Sequence, residues 1–211
     1  MWIKKIVAAL AAILVYGSGL FAQTPEEIVN KMSEQMKRAD AEGVVMDMII
    51  KMPVIGAITS HNLIRGDKMK STATVKGKKA VIWSDGTTTW TYDEQAGEIT
   101  VSPRKQSDDS KKEDSDLKAF ESLTDGYDLT LEKETSEAWY ILCKKSKSNK
   151  DKDDPGKMDL AVSKSTYLPI YMRMKQSVMS VSIEKVSIGV SEKSVTFNPS
   201  DYPNAKIVDK R

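Results

Sequence analysis

The stretch VIWSDGTTTWTYDEQAGEITV, residues 81–101, decides the fold class. Two turn signals cut it into three short strands. Asp85-Gly86 has the composition of a two-residue type I′ hairpin, in which both central residues take positive φ. Gly97 can supply the positive φ of a second, looser turn at Ala96-Gly97. Between the turns Thr88, Trp90 and Tyr92 alternate with Thr87, Thr89 and Thr91, so one face is aromatic and the other carries hydroxyls. An antiparallel meander with one apolar face must cover it, with packed protein or with a ligand.

On the N-terminal side the same period of two recurs in Val44-Met52, Ile58-Arg65, Met69-Val75 and Ala80-Ser84, ahead of Thr88-Tyr92 and Ile99-Val101. Gly56, Gly66-Asp67 and Gly77 mark the turns, at the close spacing of a meander. On the C-terminal side Tyr127-Glu132 and Trp139-Lys145 form a further hairpin. Met158-Val162, Leu168-Met174 and Met179-Ile188 follow, and the chain closes with Val195-Phe197 and a Pro-containing tail. Before the first strand, Thr24-Pro25-Glu26-Glu27 starts a helix, with Thr24 as N-cap, Pro25 at the first helical position and Glu27 closing a capping box. Ile28, Val29, Met32, Met36 and Ala39 then repeat at helical spacing up to Asp40–Gly43. A short helix is expected over residues 116–123. The charged runs at 103–115 and 146–157 read as solvated, mobile insertions. About eleven antiparallel strands with one-sided apolar faces must curl and close, fully or partly, around a core.

Residues 1–22 read as a secretory leader: Lys4 and Lys5, an apolar run from Ile6 to Tyr16, and small residues up to Ala22, after which cleavage is expected. No cysteine stands directly after the apolar run, which continues as GSGLFAQ over residues 17–23. The remainder, residues 23–211, is expected to be one domain. Losing Lys4 and Lys5 makes it formally neutral, from 32 basic and 30 acidic residues in the whole chain. A neutral chain lacks the basic footprint of a nucleic-acid-binding protein.

The chemistry of catalysis is sparse. His61 is the one histidine and Cys143 the one cysteine, so neither a Cys/His pair with a third orienting group nor a multi-His metal set is expected. No cofactor and no metal are expected, and the protein is read as a non-enzyme. Methionine stands out instead: ten of the eleven lie beyond the leader, several on shared strand faces. Methionine suits surfaces that adapt to variable apolar ligands, and it equally fills ordinary cores. The residues expected together on the concave face are Met46, Met48, Ile50, Trp90, Tyr92, Leu129, Met158, Leu160, Leu168, Ile170, Met172 and Met174. Ile28, Met32 and Met36 carry the helix face, which either packs as core or acts as a lid. Arg65 ends a strand beside His61 and Leu63, before Gly66-Asp67. It is either a surface residue or the holder of a loop or helix end.

The segment LIRGDKMKSTATVKGKKAVIWSDGTTTWTYDEQAGEITV resembles the periplasmic lipoprotein carrier family LolA and the similar lipoprotein-sorting proteins. Arg65, Ser84-Asp85-Gly86, Trp90 and Tyr92 match that family's pattern in order and spacing. The ending VTFNPSDYPNAKIVDKR resembles its Phe-x-Pro tail. The chain departs from the family at Gly66, where a proline is usual, in the strand after it, and in the two charged insertions. The resemblance implies a mainly β, α+β fold: a strongly curved, incomplete antiparallel barrel with a helical lid over an apolar cavity for lipoprotein acyl chains. It implies Arg65 as the latch between barrel and lid. It further implies a periplasmic carrier, with acylated lipoproteins, an inner-membrane lipoprotein-releasing transporter and an outer-membrane acceptor as partners. A monomer is expected. The other reading is a lipid-sensing or other hydrophobic-ligand-binding module on the same fold that shuttles nothing, and beyond it a structural domain whose helix packs shut.

Overall fold

The computed structural model describes residues 23–104 and 123–211. The expected leader, the helix expected over residues 116–123 (save Leu123 itself) and most of the 103–115 run lie outside the described residues. Helix α1, Pro25–Glu42, begins as its sequence dictates: the Thr24 hydroxyl accepts from the Glu27 amide at 3.2 Å, and the Glu27 carboxylate accepts from the Thr24 amide at 3.1 Å. Each bond occupies a backbone donor that the first turn leaves free. The helix stops at Gly43, φ +80°, whose amide donates to Ala39.

Twelve strands follow: β1 Val44–Met52, β2 Gly56–Arg65, β3 Lys68–Val75, β4 Lys78–Ser84, β5 Thr88–Asp93, β6 Glu98–Pro103, β7 Tyr127–Glu134, β8 Ala138–Lys145, β9 Lys157–Ser163, β10 Pro169–Gln176, β11 Met179–Ile188 and β12 Lys206–Asp209. They form one curved, open sheet in the order β12-β6-β5-β4-β3-β2-β1-β11-β10-β9-β8-β7. Every pairing is antiparallel except β12 with β6. Short turns make the meander possible. Lys76-Gly77 takes positive φ at both positions (+50° and +77°), the geometry expected at Asp85-Gly86. The Asp85 turn is instead a three-residue loop, Asp85 to Thr87, with positive φ at Gly86 alone. Its geometry comes from the Asp85 carboxylate, which accepts from the Thr87 amide (2.9 Å), the Thr87 hydroxyl (2.9 Å) and the Thr88 amide (2.7 Å).

The chain's end differs from the sequence reading. Residues 195–197 form no strand; a helical turn, α2 Glu192–Val195, precedes them, and the last strand is β12. The insertion after β8 is tied down within itself: Lys145 Nζ donates to the Asp151 carbonyl, and Asn149 donates to the Asp154 carboxylate at 2.7 Å. Tyr127 also donates to the Pro155 carbonyl at 2.9 Å.

Unbroken register from β1 to β6 fixes which residues share a face. One row across the strands reads Met46, Asn62, Ser71, Ile82, Thr91, Thr100. The adjacent row, pointing the other way, reads Val45, Leu63, Lys70, Trp83, Trp90, Val101. The sheet therefore changes its apolar side along its width. From β7 through β11 to β2 the apolar side is the inner one, on which α1 lies. From β4 to β6 it is the outer one.

Candidate functional site

The inner face is built by α1 and the strands beneath it. Ile28, Met32 and Ala39 are fully buried and Met36 nearly so, against Met46, Ile141, Cys143, Met158, Leu160 and Met172. Met48, Leu129, Leu168 and Met174 pack around this cluster, half-buried. Most of the residues expected to share a concave face are thus brought together, and all three expected helix residues face them. Val44 and Cys143 belong to the same cluster, as do Trp139, Ile141, Val162 and Ile183, which were not singled out from the sequence. Burial drives the Cys143 thiol up to about 12, with the Asp159 carboxylate adding to the effect, so it is a neutral, inert core group at neutral pH.

Four expected members stand elsewhere. Trp90 and Tyr92 lie on the opposite face, as the register requires. There Trp90 stacks on Phe197 at 5.3 Å, Trp83 meets Phe197 and Tyr202 edge-on at 5.4 Å, and Tyr92 meets Tyr202 at 4.7 Å. The residues from Glu192 to Tyr202 thus form a strap that covers the aromatic face with protein. Ile170 is 42 % exposed because it is the extra residue of a β-bulge: Pro169 pairs with Val162 and Tyr171 with Ala161, leaving Ile170 without a partner. Ile50 keeps the inner parity, half-buried, but lies outside the cluster.

Arg65 stands where α1, β2 and the strap meet. Its Nη1 donates to the carbonyls of Glu42 (3.3 Å) and Val190, and its Nε lies 3.7 Å from the Glu192 carboxylate. Lys68 also pairs with Glu192, and this pairing holds that carboxyl below its ordinary range. Backbone bonds run beside them, Val190 to the Glu42 carbonyl (2.7 Å) and Gly189 to the Gly43 carbonyl (3.0 Å). Arg65 therefore grips the C-terminal end of α1 and the start of the strap together.

The outer face carries two shallow clefts. One, of about 420 Å³, lies beside the β10 bulge and includes Ile170, Tyr171, Arg173 and Lys185. The other, of about 460 Å³, is lined by Lys79, Val81, Tyr92, Glu94 and Tyr202. The face under α1 is filled by the helix. Among the described residues no helix is long and apolar enough to cross a membrane. Nor is any group of three or more His, Cys, Asp or Glu side chains placed to hold a metal ion.

These features define a β-sheet domain with an amphipathic helix laid on a methionine-rich face. No protein-family model matches the sequence, and no curated protein does. Among solved structures, LprF from Mycobacterium bovis is similar over 84% of this chain and 99% of its own, with 10% identity and a TM-score of 0.51. The LolA superfamily protein NE2245 from Nitrosomonas europaea is matched over 83% of this chain and 99% of its own, at 12% identity and a TM-score of 0.32. A chain of the Pseudomonas aeruginosa MucA/MucB complex is matched over 87% of this chain and 63% of its own, at 12% identity and a TM-score of 0.45. The likeness to LprF shows a shared fold over most of the chain, and LolA superfamily and lipoprotein-sorting proteins, the group that the sequence motif resembles, are among the structures to which the chain is similar.

Proposed function

We propose that the protein is a periplasmic carrier that shields lipoprotein acyl chains between α1 and the inner face and delivers them towards the outer membrane. In this reading residues 1–22 are a cleaved leader and the remainder works as a monomer. Its partners are acylated lipoproteins, an inner-membrane releasing transporter and an outer-membrane acceptor, and it performs no catalysis.

The observation that carries the reading is the make-up of the α1 interface. Met32, Met36, Met46, Met158 and Met172 all lie between helix and sheet, each at most 3 % exposed. Flexible, polarizable side chains re-pack around a guest at lower cost than branched ones. The magnitudes are comparable on both sides of such an exchange. Burying Ile28, Val29, Met32 and Met36 is worth roughly 6–12 kcal/mol, at about 1.5–3 kcal/mol per large side chain. An acyl chain of about sixteen carbons buries about 12 kcal/mol, at about 0.8 kcal/mol per CH₂. A guest of that length can replace the helix contacts, and the closed form is recovered when the guest leaves.

The test is native mass spectrometry of the protein purified from its own envelope. Bound lipid or acylated peptide is expected, and a ligand-free spectrum would refute the reading. The alternative is a hydrophobic-ligand sensor that binds without shuttling. Transfer of a bound lipoprotein to acceptor vesicles separates the two.

A further inference from the structure

Three hairpin turns stand side by side at one end of the sheet. The strand order β4-β3-β2-β1-β11-β10 sets the β3–β4, β1–β2 and β10–β11 turns next to one another. The register puts them at one level: Met52 pairs with Gly56, Val75 with both Ile58 and Lys78, and Lys51 with Ser180. The opposite end of β1 and β2 carries the Arg65 grip on α1.

Two of the three tips present bare apolar side chains. Val54 is 90 % exposed and Ile55 41 % in the β1–β2 turn, and Val178 is 70 % exposed in the β10–β11 turn. The third tip is Lys76-Gly77, followed by Lys78 and Lys79 at the start of β4. With Lys51 beside the first tip and Lys175 beside the second, five exposed lysines surround the apolar side chains. None of the five pairs with a carboxylate among the described residues. Residues 48–66, 68–84 and 160–183, which hold the three turns and most of their strands, include no Asp or Glu. The acids at this end lie to either side. Asp93, Glu94 and Glu98 flank the β5–β6 turn, where Lys206 pairs with Glu98 at 3.4 Å. On the other side Asp151, Asp153 and Asp154 are interleaved with lysines in the loop after β8, and Asp125 and Asp128 stand at the start of β7.

A protein partner would need a matching hollow for each convex tip. A bilayer interface accepts separate apolar points of any shape, and anionic head groups attract each lysine held close to the surface. The inner face leads to the same place. Met48 and Ile50 on β1, beside Ile183 and Val181 on β11, run from the α1 cluster towards Met52 and Met179 at the tips.

We propose that this end of the sheet docks on an anionic lipid bilayer, with Val54, Ile55 and Val178 in the interfacial layer and the five lysines against the head groups. The docking stands apart from the carrier reading, since it needs no cargo. In a carrier it sets the apolar strip of β1 and β11 on end at the membrane, with the α1 cluster at its far side.

The experiment is flotation of the whole chain after leader removal with vesicles of phosphatidylcholine, alone or mixed with phosphatidylglycerol. Binding to the mixed vesicles is expected to exceed binding to phosphatidylcholine alone by about tenfold or more, and to weaken as salt is raised. The paired substitution Val54→Ser and Val178→Ser should weaken it by about tenfold or more. So should the triple substitution Lys76→Gln, Lys78→Gln and Lys79→Gln. All five side chains are exposed, so both variants should keep the wild-type urea midpoint. The control, Lys31→Gln, Lys37→Gln and Lys193→Gln, removes the same charge from exposed positions on α1 and α2 and should leave binding unchanged. No flotation with the mixed vesicles, flotation that survives either tip variant, or an equal loss in the control would overturn the docking assignment. The vesicles carry no lipoprotein, so these outcomes leave the carrier reading standing, and a ligand-free mass spectrum leaves the docking surface standing.

Discussion

Replacing Gly43 with alanine tests whether the end of α1 is locked to the sheet. A Cβ built there would stand 2.7 Å from Val190 Cβ, 2.8 Å from the Ile64 carbonyl oxygen and 3.2 Å from Arg65 Cβ. Two of these contacts are closer than carbon or oxygen atoms approach a Cβ, and one of them is backbone, which cannot rotate away. The backbone adds its own cost: φ +80° with ψ 163° lies in a region open essentially to glycine alone, worth about 1–3 kcal/mol to any other residue. Overpacking a close-fitted site costs a further 1–3 kcal/mol or so. The sum, roughly 2–6 kcal/mol, is a large part of the 5–15 kcal/mol or so that holds a typical domain together. Urea denaturation followed by tryptophan fluorescence should show a lower midpoint. Gly97→Ala is the control: its φ of +62° carries backbone strain, but nothing lies within 4 Å of the added Cβ. If Gly43→Ala destabilises no more than Gly97→Ala, the junction has room to shift and the locked end of α1 is wrong.

Arg65→Leu should lower stability by about 1–3 kcal/mol, because its carbonyl partners at Glu42 and Val190 lose a charged donor while the exposed Glu192 pair adds little. Release of a bound fluorescent fatty acid should be faster in that variant, and an unchanged release rate would remove Arg65 from any role in holding α1. The Asp85 carboxyl lies below its ordinary range, chiefly because the Thr88 amide donates to it. Its stabilising effect is therefore present above the unfolded value near pH 4 and is lost as pH falls through the lower folded value. Asp85→Asn should cost about 1 kcal/mol at pH 7, and the difference from wild type should vanish under acid conditions in paired denaturation curves. Cys143 should resist a thiol reagent in the resting protein and react once α1 lifts. Its labelling rate should rise when lipid is added, and a rate that lipid leaves unchanged would show that α1 stays down.

The elements were largely legible in the sequence, because local signals wrote them: the capping box at Thr24 and Glu27, the period of two from Val44 onward, the glycine turns. What failed was the link between elements. Alternation correctly put Trp90 and Tyr92 on one face of β5 and Met46 and Met48 on one face of β1. Whether those faces coincide depends on the register across β2, β3 and β4, and β3 reads KMKSTATV, with no apolar stripe to carry the parity across. The aromatic face then appears to need a ligand only because its cover comes from residues about a hundred positions later. Phe197 ends a stretch that reads as a strand and is none, Tyr202 lies in the Pro-containing tail, and the four-residue β12 is recognisable only once β6 is there to pair with it. Ile170 failed for a different reason. A single unpaired residue in β10 turns it outward while Met172 and Met174, two and four positions on, keep the inner parity. A bulge is set by the demands of neighbouring strands, here β9, and leaves no mark in the hydrophobic pattern of its own strand. The part of the candidate site that could be read was therefore the part whose covering element, α1, announces its own buried face. The hydroxyls of β5 were visible as TTTWT from the start, and those of β6 as TVS. Only the register across β2, β3 and β4 sets their inner row on the same side of the sheet as Met46.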